Sequence, residues 1–167
     1  LRYFRAVAKK MGLSEVIIED VSSDFGILSL QGPQAYNVIS ELTEVSGTLS
    51  YFDVVHTEIA GCSVTVSRTG YTGDLGYEIW IRSDDAMRVW DALIGAGEDY
   101  NITPIGTTAL KMVRVEAGLL LMGTDFHTSR FAWVDSQRET PHELGWGWML
   151  KGLENDGRDF IGRGAVE

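Results

Sequence analysis

The chain reads as an α+β fold with mixed or antiparallel sheets. Stretches with the two-residue period of strands come in runs of two, and helices with a 3.6-residue apolar stripe stand between the runs. The regular strand–helix–strand rhythm of a parallel sheet is missing, as are internal repeats and low-complexity stretches.

Taken in order, Phe4, Val7, Ala8 and Met11 recur at helical spacing and Gly12 follows, the usual residue past a helix C-terminus, so the chain opens with a helix. Two apolar runs come next, Val16 to Val21 and Phe25 to Leu30. The turn Ser22-Ser23-Asp24 between them predicts an antiparallel pair. Gln31-Gly32-Pro33 punctuates the chain, with Pro33 expected at the first position of a helix that turns Ala35, Val38, Ile39 and Leu42 inward. Strands are expected at Val54 to Ala60, Cys62 to Ser67 and Tyr77 to Arg82. Ser83 is placed to cap the next helix, with Asp84 and Asp85 in its first turn and Ala86, Val89, Trp90, Leu93 and Ile94 as its stripe. A last helix, roughly Thr107 to Ala117, carries Leu110, Val113, Arg114 and Ala117 on one side and stops at Gly118. Beyond it no period persists.

At 167 residues and 44% hydrophobic content the chain can bury a full core, which suits one domain or one domain with part of another. The first residue already reads as helix and is not Met, so the chain is expected to be a piece of a longer polypeptide. Fourteen Lys and Arg against 24 Asp and Glu give a net charge of −10, which works against nucleic acid or an anionic membrane as partner. Cys62 stands alone in an apolar strand and reads as a core thiol. That excludes an internal disulfide and suits a reducing, cytoplasmic setting. Neither a signal-peptide core nor a long apolar span is present at the amino terminus. His56, His127 and His142 are too scattered for a metal-ligand pattern, so no metal is expected.

The most informative stretch is Ser67-Arg-Thr-Gly-Tyr-Thr-Gly-Asp-Leu-Gly-Tyr-Glu-Ile-Trp80. Gly70, Gly73 and Gly76 connect two strands, which calls for backbone angles or close approaches that side chains would block. It lacks the Gly-Lys-Ser/Thr ending of a phosphate loop and the Gly-x-Gly-x-x-Gly spacing of a dinucleotide loop. A plain hairpin satisfies the same glycines. In the strand that follows, Tyr77, Ile79 and Ile81 face one way and Glu78, Trp80 and Arg82 the other. This sets a carboxylate beside an indole on one sheet face, suited to a flat heterocycle offering N–H donors, or simply to a solvated surface.

The wording of this stretch resembles the Ser-Arg-Thr-Gly-Tyr-Thr-Gly-(Glu/Asp)-x-Gly-(Phe/Tyr)-Glu-Ile signature of the glycine-cleavage T-protein family, the folate-dependent aminomethyltransferases. Leu28-Ser-Leu-Gln-Gly-Pro33, Arg114-Val-Glu-Ala-Gly118 with Gly123-Thr-Asp125, Glu143-Leu-Gly-Trp-Gly-Trp148 and Phe160-Ile-Gly162 are similar to further elements of that family, in the same order.

The resemblance implies a T-protein-like folate-binding domain over 1–167, partly ferredoxin-like, with the family's upstream catalytic segment and C-terminal barrel absent. It implies tetrahydrofolate as cofactor, a small-molecule one-carbon donor and a possible lipoyl-carrier partner. Glu78 takes the place of the family's pterin-holding glutamate. Tyr71 would line the same pocket, or cover the sheet as a hairpin-tip aromatic.

Two departures stand out. Ala109-Leu110-Lys111 replaces the family's Ala-Arg-Asp, whose arginine contacts folate, which suggests a divergent member, a demethylase or an oxidase-associated domain. Arg114, one turn on, either reaches the cofactor instead or braces Glu116 and the helix end. The catalytic aspartate element is also absent, so the isolated fragment is expected to be inactive. The alternative reading is a non-catalytic folate-binding or regulatory module.

Overall fold

The alternating segments fold together as one antiparallel sheet: β1 (Phe25–Gln31), β2 (Val54–Ile59), β3 (Cys62–Ser67) and β4 (Gly76–Arg82), in the order β1-β4-β3-β2. The computed structural model describes residues 1–44, 49–128, 130–152, 157 and 163–166. They divide into two compact units, 1–117 and 118–167.

Register decides what each sheet face carries. Glu78 lies opposite Ser29 on one side and Ser67 on the other, while Trp80 lies between Ile27 and Thr65. On the other face Leu30, Val64, Val66, Tyr77, Ile79 and Ile81 are buried beneath α2 (Ala35–Ser40) and α3 (Ala86–Gly97), which contribute Ala35, Val38, Ile39, Val89 and Leu93. Burying each large aliphatic side chain contributes about 1.5–3 kcal/mol, so this face holds the unit together and leaves the Glu78 face open. β2 and β3 join through a tight turn in which Ala60 (φ 51°) and Gly61 (φ 71°) are both left-handed, the geometry that matches strand twist.

Several sequence expectations change in three dimensions. Val16 to Val21 forms no strand. β1 pairs with β4 instead, and Ile17 is 81% exposed. The run is held by the Arg5 guanidinium, whose Nε and Nη2 donate to the Ile18 carbonyl at 3.2 and 2.9 Å. An apolar run without a neighbouring strand has no ladder to join, whatever its β propensity. The first helix, α1 (Arg2–Lys10), forms and ends near Gly12 (φ 70°), yet none of its side chains is buried.

Pro33 precedes α2, which starts at Ala35. Ser83 caps nothing: its hydroxyl donates to the Ser23 carbonyl at 2.7 Å, and Ser83–Asp85 is a 3₁₀ turn leading into α3. α4 (Thr107–Glu116) passes through Ala117 to Gly118 (φ 72°), as its C-terminal glycine requires.

Among the described residues the second unit has little regular structure. It holds a Met122–Phe126 bridge, 3₁₀ turns at Asp135–Gln137 and Gly147–Leu150, the short α5 (Arg163–Val166), and an edge-to-face pair of Phe126 and Trp146 at 5.6 Å. Phe160-Ile-Gly162 lies outside the described residues.

Candidate functional site

Gln31, the last residue of β1, stands directly across from Gly76, the first of β4. Because Gly76 has no side chain, the Gln31 amide lies over it and reaches the glycine connection. Its Nε2 donates to the carbonyls of Thr69 (3.2 Å) and Tyr77 (3.3 Å), and its Oε1 accepts from the Thr72 hydroxyl at 3.3 Å. Two backbone carbonyls on one end of the amide fix which end is the NH2 group. A Cβ at Gly70 would stand 2.0 Å from Gln31 Oε1 and one at Gly76 only 1.8 Å from it, so a side chain at either position would have to displace the Gln31 amide. Gly73 differs: its φ of 76° is left-handed, and a Cβ there would meet the Ala117 Cβ at 2.4 Å. The connection therefore rests on the end of α4.

Glu78 is half-buried on the open face. Its Oε2 accepts a short hydrogen bond from the Thr69 hydroxyl, and Thr69 Oγ1 stands 2.8 Å from the buried Ser67 hydroxyl. Since Thr69 has one hydroxyl proton and gives it to the carboxylate, Ser67 is the donor of the 2.8 Å contact. The chain Ser67 to Thr69 to Glu78 thus aims one carboxylate oxygen and leaves acceptor capacity on both. Next along the face, Trp80 is 43% exposed opposite the exposed Ile27, an apolar floor beside the anion. On the reverse side of β4, burial pushes the Tyr77 phenol above its ordinary range against the lowering influence of Arg68.

The three residues singled out in the sequence fall in different settings. Tyr71 is half-buried within the connection, two residues before Gly73. Arg114 is buried, 4% exposed, one helical turn before Ala117. The Gly73–Ala117 approach sets the connection that carries Tyr71 against the end of the helix that carries Arg114. Leu110 lines a cleft of about 610 Å³, walled by β1, the start of α2, Trp90 of α3 and the 100–107 segment. Gln31 and Thr72 border this cleft; Glu78, Tyr71 and Arg114 do not line it.

Sequence reasoning missed Gln31, Thr69 and Ser67 as parts of the site. The available signal was the demand of Gly70 and Gly76 for space, which needed a partner side chain of amide length. Among the described residues no group of three or more His, Cys, Asp and Glu side chains could hold a metal ion, and no helix is long and apolar enough to cross a membrane.

Residues 2–152 match the GCVT N-terminal domain. The chain belongs to that family. It is 35% identical over 152 residues to the aminomethyltransferase of Chloroherpeton thalassium, covering 90% of this chain and 39% of that protein. Its identity to the aminomethyltransferase of Bacillus subtilis is 34%, covering 95% and 41%. To the probable aminomethyltransferase of Haloarcula marismortui it is 38%, covering 92% and 38%. The chain spans about two-fifths of the length of the curated relatives it matches. Among solved structures, a heterotetrameric sarcosine oxidase from Corynebacterium sp. U-96, in complex with pyrrole 2-carboxylate, aligns with a TM-score of 0.50 at 20% identity, over 59% of this chain and 51% of that one. That likeness concerns the fold alone, and it agrees with the α+β architecture described above.

Proposed function

We propose that this chain is the folate-binding part of a tetrahydrofolate-dependent one-carbon transferase of the aminomethyltransferase type. The observation that carries the reading is Glu78, a half-buried carboxylate on an open sheet face, oriented by Thr69 and set beside Trp80. A carboxylate is acceptor-only, and the edge of a 2-amino-4-oxopteridine that carries N3 and the 2-amino group is donor-only, so the two match as a charge-assisted pair of parallel hydrogen bonds. Thr69 uses only part of the acceptor capacity. The residues present therefore fit the cofactor.

Bound tetrahydrofolate supplies N5 as the acceptor of the carbon unit. Glu78 orients the pterin, and Tyr71 and Arg114 complete the site from the glycine connection and from α4. Fixing the ring in one orientation replaces a bimolecular encounter by a reaction between preset groups. The one-carbon donor is a small molecule, a lipoyl-carrier protein is the candidate macromolecular partner, and the setting is cytoplasmic. Transfer itself belongs to the whole protein, and the isolated chain is expected to bind without catalysing it.

A second reading, a non-catalytic folate-binding module, is favoured by Leu110, which presents an apolar side chain to the cleft where the family pattern has arginine. Production of methylene- or methyl-tetrahydrofolate by the full-length protein would eliminate it.

The test of the site is calorimetric titration with tetrahydrofolate. Glu78→Gln keeps the shape and removes the anion, so binding should weaken by about 1.5–3 kcal/mol, the range for a hydrogen bond to a charged group. Equal affinity in wild type and variant would remove Glu78 from the site.

A further inference from the structure

We infer that Gln31 is the positioning residue of the Glu78 site, and that Gly70 and Gly76 are glycine so that its amide can be seated between them. The inference rests on the folate reading of Glu78 and adds a residue and a mechanism to it.

The joint is Thr69. Its carbonyl accepts from Gln31 Nε2 at 3.2 Å, while its hydroxyl donates to Glu78 Oε2. One residue is thus gripped from β1 and itself grips the carboxylate. The second amide proton goes to the Tyr77 carbonyl at 3.3 Å, the backbone group immediately before Glu78. Gln31 therefore fixes both the strand from which Glu78 projects and the residue that turns its head.

The side chains nearest to Gln31 in shape do not serve. Glutamate offers no donor and would set anionic oxygens against two carbonyls. Asparagine is one methylene shorter and does not span from β1 across Gly76 to Thr69. Methionine fills the space but donates nothing. The seat is equally specific, since a Cβ at Gly70 or Gly76 would stand 2.0 or 1.8 Å from the Gln31 amide oxygen.

A carboxylate held in one direction distinguishes a ligand that offers two N–H donors from one that offers a single donor. An unaimed carboxylate distinguishes them less. The experiment is titration of the full-length protein with tetrahydrofolate and with its 2-desamino-2-methyl analogue, in wild type, Gln31→Met, Thr69→Val and Glu78→Gln. Melting temperatures are recorded on the same samples.

Wild type should prefer tetrahydrofolate by about tenfold or more, the value of one charge-assisted hydrogen bond. In Gln31→Met that preference should fall toward unity. A merely structural Gln31 would lower the melting temperature and weaken both ligands equally, leaving the ratio at its wild-type value, and that result would overturn the inference. Thr69→Val cuts the same relay one link later and decides the matter by the same ratio if Gln31→Met does not fold.

Retention of the ratio in Gln31→Met with its loss in Glu78→Gln would sink the role of Gln31 alone. Retention in Glu78→Gln would remove the carboxylate from the ligand, and both readings with it. The seat is tested separately: Gly76→Ala should lower the melting temperature in wild type and lower it much less in a Gln31→Ser background, where the amide is gone. Additive losses would mean that Gly76 is not glycine for the sake of Gln31.

Discussion

The two connections around β3 solve the same problem by different uses of glycine. Between β2 and β3 the chain reverses in Ala60-Gly61, both left-handed, with nothing within 4 Å of a Cβ at Gly61. There the demand is purely on the backbone. Between β3 and β4 the route is longer, and only Gly73 is left-handed. At Gly70 and Gly76 the Gln31 amide occupies the volume a Cβ would take. The first connection is a turn; the second is a socket. Glycine in a sequence thus carries two separate messages, and only the structure distinguishes them.

The comparison can be broken most severely at Gly73, where both demands coincide. Gly73→Ala must accept a left-handed φ and a Cβ at 2.4 Å from that of Ala117. The backbone term is about 1–2 kcal/mol and the overpacking term about 1–3 kcal/mol. A loss of about 2–5 kcal/mol is expected in chemical denaturation, and a loss below 1 kcal/mol would show that the connection does not rest on α4.

The opposite change sharpens the other side. Ala60 is an alanine in a left-handed position that favours asparagine or glycine, so Ala60→Asn should stabilise the protein by roughly 0.5–1 kcal/mol and leave ligand binding unchanged. A destabilised Ala60→Asn variant would contradict the turn geometry.

The smallest expected effect compares two carboxylates held by threonine. Glu143 accepts from the Thr140 backbone N–H at 2.7 Å and from its hydroxyl at 2.9 Å, and these bonds, the backbone one first, hold its pKa below the ordinary 4.5. A depressed folded-state pKa contributes stability that is present above 4.5 and lost as pH falls through the folded value. Melting temperature should therefore fall slightly more steeply below about pH 4.5 in wild type than in Glu143→Gln. Parallel curves would show that this exposed contact contributes nothing measurable.

What was legible in the sequence follows the same division. Alternation located β2, β3 and β4 to within a residue, because half-buried strands write their faces directly into the chain, and it separated Glu78 and Trp80 from the core residues Tyr77, Ile79 and Ile81. Val16 to Val21 was misread because an apolar run looks the same with or without a neighbour to pair with. Ser83 looked like a cap because a serine before two aspartates is the local signature of one, yet its hydroxyl is taken by Ser23, sixty positions earlier. The role of Gln31 was invisible for a related reason. It depends on the register that sets Gln31 across from Gly76, and no local pattern records which strand will be its neighbour.

β1 carries one more consequence. Among the described residues it pairs with β4 alone, and its sequence, Phe-Gly-Ile-Leu-Ser-Leu-Gln, contains no charge and no proline. These are the residues with which sheets ordinarily guard a free edge. With Phe25 and Ile27 exposed along it, this edge offers the row of backbone groups on which a further strand would pair.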